Sequence, residues 1–166
     1  MWDRNDTHLG VMFIIALIMN AKKIVELGTG VGVSGNLFSN VLMLTDGKLY
    51  SVDKFPNEPM TRGGIELLSS KKNITFIEGD SVEVGRTWSE EVDIVYCDSA
   101  HGEEHVLNEL RVWGPKAKIL IVHDIFTPER ERGPPYTACE KYAKESGREF
   151  IPIDSDKSIQ GLGVLI

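Results

Sequence analysis

The 166-residue sequence has little of what marks secreted, membrane-spanning or nucleic-acid-binding proteins. Its two cysteines are too few for the disulfide framework of a secreted domain, and Cys97 lies in an apolar run, so we expect a reduced thiol in the core. Acidic residues outnumber basic ones by 25 to 18, and no cluster of lysine and arginine offers a footprint for nucleic acid or an anionic membrane. The composition therefore favours a small molecule as the partner.

A hydrophobic run long enough to cross a bilayer is also missing. The run LGVMFIIALIM at residues 9–19 is too short for that, although its length suits the core of a signal peptide. The preceding WDRNDTH carries no positive charge excess, and a glycine-rich loop follows too closely for a cleavage site. We expect residues 1–20 to form a buried helix, packed against the sheet edge or a second subunit as in a homo-oligomer, and the protein to be cytoplasmic.

Apolar, strand-like runs alternate with helical patterns along the whole chain. The five runs KIVELG, KLYSVD, ITFIEGD, VDIVYCD and KILIVHD are each followed by a segment of crossover length, which parallel strands require. Two last runs, at residues 149–153 and 161–166, are joined by a polar stretch without a helical pattern, which predicts an antiparallel pair at one edge. The sequence thus predicts one α/β domain over residues 1–166.

The predicted architecture is Rossmann-like and doubly wound, with a mostly parallel seven-stranded sheet, an antiparallel C-terminal edge pair and helices on both faces. Helices are predicted over residues 33–44, 101–113 and 137–146, with a short helix within 57–70 and a turn or helix at 81–90. In the helix over 101–113, the spacing of apolar residues places Glu109 away from the buried face.

The stretch VELGTGVGVSG at residues 25–35 indicates a cofactor loop, but two glycine motifs overlap in it. Residues 30–35 satisfy the G-x-G-x-x-G pattern of dinucleotide-binding enzymes, whereas residues 26–32 satisfy E-x-G-x-G-x-G. Asp53, about twenty residues further on, suits a ribose in either interpretation. The glycines alone leave an NAD(P)-dependent oxidoreductase open.

Polar side chains stand at the ends of all five predicted parallel strands, the edge at which open α/β sheets bind ligands. They are Glu26 with the glycines, Asp53, Asp80 and Ser81, Asp98 followed by Ser99 and His101, and His123 with Asp124. One acid after a strand is commonly a helix cap, but five polar ends in succession indicate a site. Acids oppose an anionic dinucleotide and suit a cationic cofactor with an amine, and the short chain leaves little room for a nicotinamide enzyme's second half.

The chain contains VELGTGVG, a second strand ending in SVD, GDS after the third strand, DSAH after the fourth and a closing strand pair. Taken together, these features resemble the class I S-adenosylmethionine-dependent methyltransferases. Within that family the chain is most similar to O-methyltransferases of the catechol O-methyltransferase type and to antibiotic-tailoring relatives. The resemblance implies O-methylation of a small hydroxylated molecule. A nicotinamide-dependent oxidoreductase and a non-catalytic cofactor-binding protein are the alternatives.

The resemblance also implies a set of residues that bind S-adenosyl-L-methionine. Gly28, Gly30 and Gly32 would let the backbone approach the methionine part, Asp53 would accept both ribose hydroxyls, and Asp80 would accept the adenine amino hydrogens. The full set is Glu26, Gly28, Thr29, Gly30, Gly32, Ser34, Asp53, Lys54, Gly79, Asp80, Ser81, Asp98 and Ser99. Ser34 alone would suit a helix-start serine bonded to the backbone, and Ser81 either caps the next helix or touches the ring.

Two devices could take the proton from an alcohol or phenol acceptor. In the first, Asp98, His123 and Asp124 hold a divalent cation, for which two carboxylates suit Mg²⁺ and a histidine favours Mn²⁺ or Fe²⁺. In the second, His101 or His123 acts as the general base without a metal, beside Asp98. Of the other histidines, His105 is predicted to be a surface residue, and His8 caps the first helix or lines the pocket.

Overall fold

A seven-stranded sheet with helices on both faces forms the computed structural model, which describes residues 6–129, 131–153 and 161–166. The strands are β1 Lys23–Leu27, β2 Lys48–Asp53, β3 Ile74–Glu78, β4 Val92–Cys97, β5 Ala117–His123, β6 Phe150–Ile153 and β7 Leu162–Leu165. The helices are α1 Asp6–Ile18, α2 Val33–Thr45, α3 Pro59–Leu68, α4 Ser81–Thr87, α5 Glu103–Trp113 and α6 Pro134–Ser146. A 3₁₀ turn at Gly114–Lys116 leads into β5.

The strand order is β3-β2-β1-β4-β5-β7-β6, and this order determines where a ligand can bind. Strands β1 to β5 pair in parallel, while β7 runs antiparallel to both β5 and β6. The predicted fold class, including the antiparallel pair at the C-terminal edge, is confirmed. Because β1 has β2 on one side and β4 on the other, the order reverses there and a crevice opens beyond the carboxyl ends of β1 and β4.

The central strands are buried on both faces because helices cover each side of the sheet. Successive residues of β1 point to opposite faces, so Ile24 joins the core beneath α1 and α2, whereas Val25 joins the core beneath α4, α5 and α6. The second core holds Trp113, which is fully buried and whose ring nitrogen donates to the Ser81 carbonyl. Cys97 is also buried there as a free thiol, as predicted from its apolar run.

Helix α1, which lies within the helix expected over residues 1–20, is buried along one face in the single chain. Met12 and Ala16 pack with residues of α2, but the opposite face exposes Ile14 at 54% and Ile18 at 80%. Contact of this face with a second subunit stays a prediction, and residues 1–5 lie outside the described residues. Within the described ranges, no helix has the length and apolar character needed to cross a membrane.

Several elements begin or end a few residues from their predicted bounds, and the shifts concern the site. Helix α5 begins at Glu103 and not at residue 101, because Gly102 in an extended conformation precedes it, and this leaves His101 in the loop after β4. Strand β4 ends at Cys97, so that Asp98 also lies in that loop. Helix α6 begins earlier than predicted, at Pro134, since proline suits the first turn of a helix.

Candidate functional site

The glycine loop between β1 and α2 has left-handed backbone at Gly28, Gly30 and Gly32. A Cβ at Gly28 would lie 2.3 Å from the Asp98 carbonyl oxygen, and one at Gly32 would lie 3.1 Å from the backbone of Gly64 in α3. The protein's own packing therefore requires glycine at these two positions. At Gly30, by contrast, an added Cβ would meet no atom of the described residues within 4 Å. Packing among the described residues therefore does not require glycine at position 30, which faces open space.

Glu26 lies beneath this loop and is fully buried. Its carboxylate accepts hydrogen bonds from the Ser34 hydroxyl at 2.5 Å and the Ser51 hydroxyl at 2.6 Å, and Ser51 also lies 2.8 Å from the Thr29 hydroxyl. Burial raises the pKa of Glu26 to about 7, although both hydroxyl donors act in the opposite direction. Ser34 was predicted to bond to the backbone; the structure corrects this, since its partner is Glu26. Glu26 therefore joins β1, β2 and the start of α2 under the loop.

The pKa of Glu26 predicts a stability that depends on pH. The folded carboxyl keeps its proton up to about pH 7, whereas the unfolded one loses it near pH 4.5. This stabilisation is complete below pH 4.5 and is lost as the pH rises to 7, which amounts to about 3 kcal/mol. Glu26→Gln should remove this fall, as measured by urea unfolding at a series of pH values. Glu104→Gln, on an exposed residue, is the control, and identical profiles for Glu26→Gln and the wild type would contradict the expectation.

A first cavity of about 280 Å³ lies beyond the ends of β2, β3 and β4. The predicted cofactor residues that line it are Gly28, Asp53, Lys54, Gly79, Asp80, Ser81 and Ser99. Val52, Phe55, Ala100 and His105 also line it and were not predicted. Thus the predicted residues from three strand ends meet around one space, while Glu26 and Gly32 support the loop from behind it.

Asp53 joins the first cavity to the glycine loop. Its Oδ2 accepts a hydrogen bond from the Thr29 amide at 3.0 Å, and its Oδ1 accepts one from the Phe55 amide at 2.8 Å. Thr61 of α3 lies 3.5 Å from Oδ2. These donors hold the carboxylate at the cavity wall, in one orientation, as the sole acidic side chain at the end of β2.

Asp80 caps helix α4, and its Oδ1 accepts from the Val82 and Glu83 amides at 3.0 and 3.3 Å. Of the two roles weighed for Ser81, capping therefore belongs to Asp80. Lys54 lies 3.1 Å from Oδ2. Partial burial disfavours the charge, but the lysine and the two amides outweigh it and hold the pKa of Asp80 below its usual value. Asp80 is therefore an ionised carboxylate, which can only accept hydrogen bonds.

A second cavity of about 330 Å³ lies on the other side of Gly28, which lines both. The predicted residues Thr29, Gly30, Ser34, Asp98 and His123 line it. Its other walls are His8, Leu9, Met12, Val31, Val33, Met60 and Tyr96. His8, for which capping and pocket lining were both open, lines this cavity, and its ring meets that of His123 edge-on at 5.7 Å. The second cavity is thus aliphatic with polar groups at one end.

That polar end is an acid–histidine cluster of Asp98, His101, His123 and Asp124. Each of Asp98, His123 and Asp124 offers one possible metal-ligand atom, and these three atoms lie within 4.8 Å of one another. His123 Nδ1 is 2.8 Å from Asp124, and His101 Nε2 is 3.3 Å from Asp98 and 3.2 Å from Asp124. Asp124 has a φ of 54°, a left-handed conformation that costs a non-glycine residue free energy. Such strain at a strand end is typical of functional residues.

The charges of the cluster stabilise each other. Burial opposes ionisation of Asp98, but His101 and His123 outweigh it and lower the pKa of Asp98 to about 2. Burial likewise opposes charge on His123, but Asp124 and Asp98 raise the pKa of His123 to about 10. Tyr96 donates a hydrogen bond to Asp98 at 3.0 Å. The arrangement gathers negative charge and compensates it with positive charge at the same place.

Two residues of α5 differ from their predicted positions. Glu109 is fully buried, although the apolar spacing placed it away from the buried face. His105, predicted at the surface, is partly buried and lies 3.2 Å from Glu109, the residue one turn further along. The spacing of four residues between His105 and Glu109 was the sequence signal for their contact, because residues four apart lie on the same side of a helix.

The sheet is doubly wound, a glycine loop follows β1, and acids stand at the strand ends. Together these features are typical of the class I methyltransferases, whose cofactor is a nucleoside derivative without phosphate. A sequence profile of the family described as "Methyltransferase domain" matches residues 25–125. The chain belongs to this methyltransferase family, and the resemblance predicted from its motifs is confirmed together with the enzyme class. No curated protein sequence gives a match.

Solved structures share the fold over nearly the whole chain. A Staphylococcus aureus protein assigned as a caffeoyl-CoA O-methyltransferase has 19% identity and a TM-score of 0.78, covering 100% of this chain and 84% of its own. TomG from Streptomyces achromogenes, an O-methyltransferase involved in tomaymycin synthesis and solved with S-adenosylmethionine, has 13% identity, a TM-score of 0.73 and coverages of 96% and 79%. A Bacillus cereus O-methyltransferase in complex with S-adenosylhomocysteine has 14% identity, a TM-score of 0.72 and coverages of 99% and 82%. These likenesses establish the fold.

Proposed function

We propose that the protein transfers a methyl group from S-adenosyl-L-methionine to a hydroxyl oxygen of a small molecule, with a divalent cation at the acid–histidine cluster. The observation that carries this proposal is the meeting of two cavities at Gly28, one lined by Asp53 and Asp80 and the other by Asp98 and His123. Methyl transfer needs a donor and an acceptor in line, and adjoining cavities supply that geometry.

The first cavity suits the adenosine half of the cofactor. Asp53 offers carboxylate oxygens for the ribose hydroxyls, and Asp80 offers an acceptor for the adenine amine. Both acids favour a cofactor with a positive sulfonium and an amine over a pyrophosphate. The Streptomyces and Bacillus relatives, solved with S-adenosylmethionine and S-adenosylhomocysteine, support the same choice.

The second cavity suits the methionine half and the acceptor. Gly30 leaves its wall open, and Leu9, Met12 and Val31 provide aliphatic contact for an apolar molecular body. At the polar end, Asp98 and His123 face the same space. An acceptor that places its hydroxyl at this end and its body against the aliphatic wall is therefore the expected substrate class.

Asp98, His123 and Asp124 fit a divalent cation by their chemistry and their convergence. Two carboxylates and one imidazole within 4.8 Å are ligands found for Mg²⁺, Mn²⁺ and Fe²⁺. A bound divalent cation would lower the pKa of a coordinated hydroxyl. His101 lies at the rim with 48% of its side chain exposed and contacts both carboxylates, so it can pass a proton to solvent. Tyr96 holds the Asp98 carboxylate from the core side.

Calorimetric titration with S-adenosylhomocysteine and with NADH tests the cofactor. We expect saturable binding of S-adenosylhomocysteine and none of NADH, because the pyrophosphate would face Asp53 and Asp98 across the glycine loop. Tight binding of NADH with no binding of S-adenosylhomocysteine would overturn this proposal and favour an NAD(P)-dependent oxidoreductase. Binding of S-adenosylhomocysteine without methyl transfer to any hydroxylated acceptor, with Mg²⁺ or Mn²⁺ added, would favour a non-catalytic cofactor-binding protein.

A further inference from the structure

The second cavity has buried walls on one side and exposed apolar side chains where it opens to solvent. Met12 and Tyr96 line it and are buried. Val31, Val33 and Met60 line the same cavity, yet their exposed fractions are 55%, 48% and 64%. These three residues form the apolar mouth of the cavity. Apolar side chains that are exposed together beside a cavity are typical of a surface that a ligand covers.

Backbone contacts fix the position of the apolar mouth, although its members come from three parts of the chain. Val31 lies in the glycine loop, Val33 begins α2, and Met60 lies in the first turn of α3. A Cβ at Gly64 would lie 2.3 Å from the Gly30 carbonyl oxygen, so α3 lies directly against the glycine loop. Residues four apart share one side of a helix, so Met60 projects on the same side as Gly64. The fold therefore places Met60 beside the loop.

The polarity of the second cavity changes from its polar end to its mouth. Asp98 and His123, at the polar end, are largely buried, whereas the apolar side chains stand next to solvent. An acceptor with a charged outer end would leave these apolar side chains in water or lose its own hydration against them. An acceptor with an apolar outer end would remove both surfaces from water. The arrangement therefore favours an acceptor that is apolar where it leaves the cavity.

The volume of the second cavity brings the acceptor out to this mouth. The cavity measures about 330 Å³, near the lower limit for a site that holds one small molecule. Under the proposed function it receives the methionine half of the cofactor as well as the reacting hydroxyl. The outer part of the acceptor is therefore left at the mouth, in contact with Val31, Val33 and Met60.

Positive charge is missing from the described walls of the second cavity. Its acidic and histidine side chains are His8, Asp98 and His123, and no lysine or arginine of the described residues lines it. Arg62 of α3 lies outside the cavity, with its Nε 3.7 Å from the Glu66 carboxylate. The whole chain has a net charge of −7. A carboxylate or phosphate at the mouth would therefore lose hydration without gaining a cation.

We propose that the methyl acceptor is an uncharged phenol or alcohol with an apolar substituent, which lies across Val31, Val33 and Met60 while the hydroxyl reaches the acid–histidine cluster. This inference rests on the proposed function and names its substrate class. The apolar mouth determines specificity: it favours a longer apolar substituent and disfavours an acceptor that ends in a carboxylate or phosphate.

The test compares catechols that carry a methyl, ethyl, propyl or butyl chain para to one hydroxyl, with methyl transfer from labelled S-adenosylmethionine as the measurement. For the wild type, kcat/KM should rise about two- to fourfold with each added methylene, because each one is removed from water. The rise should come mainly from a lower KM, since the chain contacts the mouth equally before and during transfer. Dihydrocaffeate, in which a carboxylate replaces the terminal methyl group of propylcatechol, should be a poorer acceptor by about tenfold or more.

Met60 is the residue to vary, because it is exposed and contributes no buried side chain to the core. Met60→Ala should flatten the dependence on chain length. Met60→Lys should make dihydrocaffeate at least as good an acceptor as propylcatechol, because the lysine supplies the missing cation. Met43→Ala and Met43→Lys are the matched controls, since Met43 of α2 is 66% exposed and lies outside both cavities. They should leave both comparisons unchanged.

The outcomes separate this inference from the proposed function. Transfer that does not depend on chain length, a wild-type preference for dihydrocaffeate, or equal effects of the Met60 and Met43 variants overturns the inference alone. Transfer to other hydroxylated molecules but to none of these catechols also overturns it and leaves the proposed function in place. A wild type that methylates no hydroxylated molecule overturns the proposed function and this inference with it.

Discussion

Asp124→Asn is expected to remove tight divalent-cation binding and to slow methyl transfer by about 100-fold or more. The substitution replaces a charged ligand oxygen with a neutral amide in the acid–histidine cluster. The substitution adds no backbone strain, because asparagine tolerates the left-handed conformation that Asp124 adopts at a φ of 54°. Affinity for S-adenosylhomocysteine measured without added cation should be nearly unchanged, since Asp124 does not line the first cavity.

The measurement uses Mn²⁺ as the probe, with the free ion counted by electron paramagnetic resonance, and labelled S-adenosylmethionine with catechol as a trial acceptor. Asp46→Asn is the matched control: Asp46 is also left-handed, with a φ of 56°, but it ends α2 away from the cluster. It should change neither metal affinity nor rate. Wild-type methyl transfer that persists unchanged in a chelator would reject the cation and leave His101 as the candidate general base, since His123 carries its proton at neutral pH.

Gly28→Ala is expected to destabilise the protein by about 3–5 kcal/mol, a large part of a typical domain's stability. The new Cβ would lie 2.3 Å from the Asp98 carbonyl oxygen, and the residue would have to keep a φ of 95°. Since the Cβ is fixed by the backbone of residue 28 and the oxygen belongs to the backbone of Asp98, relief requires the ends of β1 and β4 to separate. Urea unfolding at pH 7 measures the loss.

Gly30→Ala is the matched substitution in the same loop and should behave differently. Its φ of 47° is one that alanine adopts at a cost of about 1–2 kcal/mol, and its Cβ would meet no atom of the described residues within 4 Å. The variant should fold, yet bind S-adenosylhomocysteine about tenfold or more weakly, because the methyl group projects toward the cofactor. Equal stabilities for the two variants would contradict this division of roles.

The architecture was accessible from the sequence because strand and helix periodicities alternate without interruption. The polar residues Asp53, Asp80 and Asp98 follow apolar runs, and the carboxyl ends of parallel strands meet at one edge, so their convergence around the site followed from order alone. The overlap of two glycine motifs could not be decided at the loop itself. The acidic residues at the other strand ends favour the S-adenosylmethionine motif over the dinucleotide motif. The match to the methyltransferase family profile supports that choice.

What the sequence did not reveal depends on three-dimensional packing. The spacing of apolar residues predicts Glu109 outside the core and His105 at the surface, but the structure buries Glu109 and places His105 beside it. The helical pattern alone does not show that the loop before α5 turns that side of the helix toward Ser81 and Ser99. Such contacts join residues far apart in the chain, so they produce no periodic pattern in the sequence.

The close approach of Gly28 to the Asp98 carbonyl makes the cofactor loop and the end of β4 mechanically one unit. An adjustment at the end of β4 on binding of the proposed cation would therefore be transmitted to the loop that lines the proposed cofactor site. Thermodynamic linkage then requires reciprocity: whatever free energy the cation adds to cofactor affinity, the cofactor adds to cation affinity. The proposed function therefore predicts heterotropic cooperativity between the cation and the cofactor, transmitted through the close contact at Gly28.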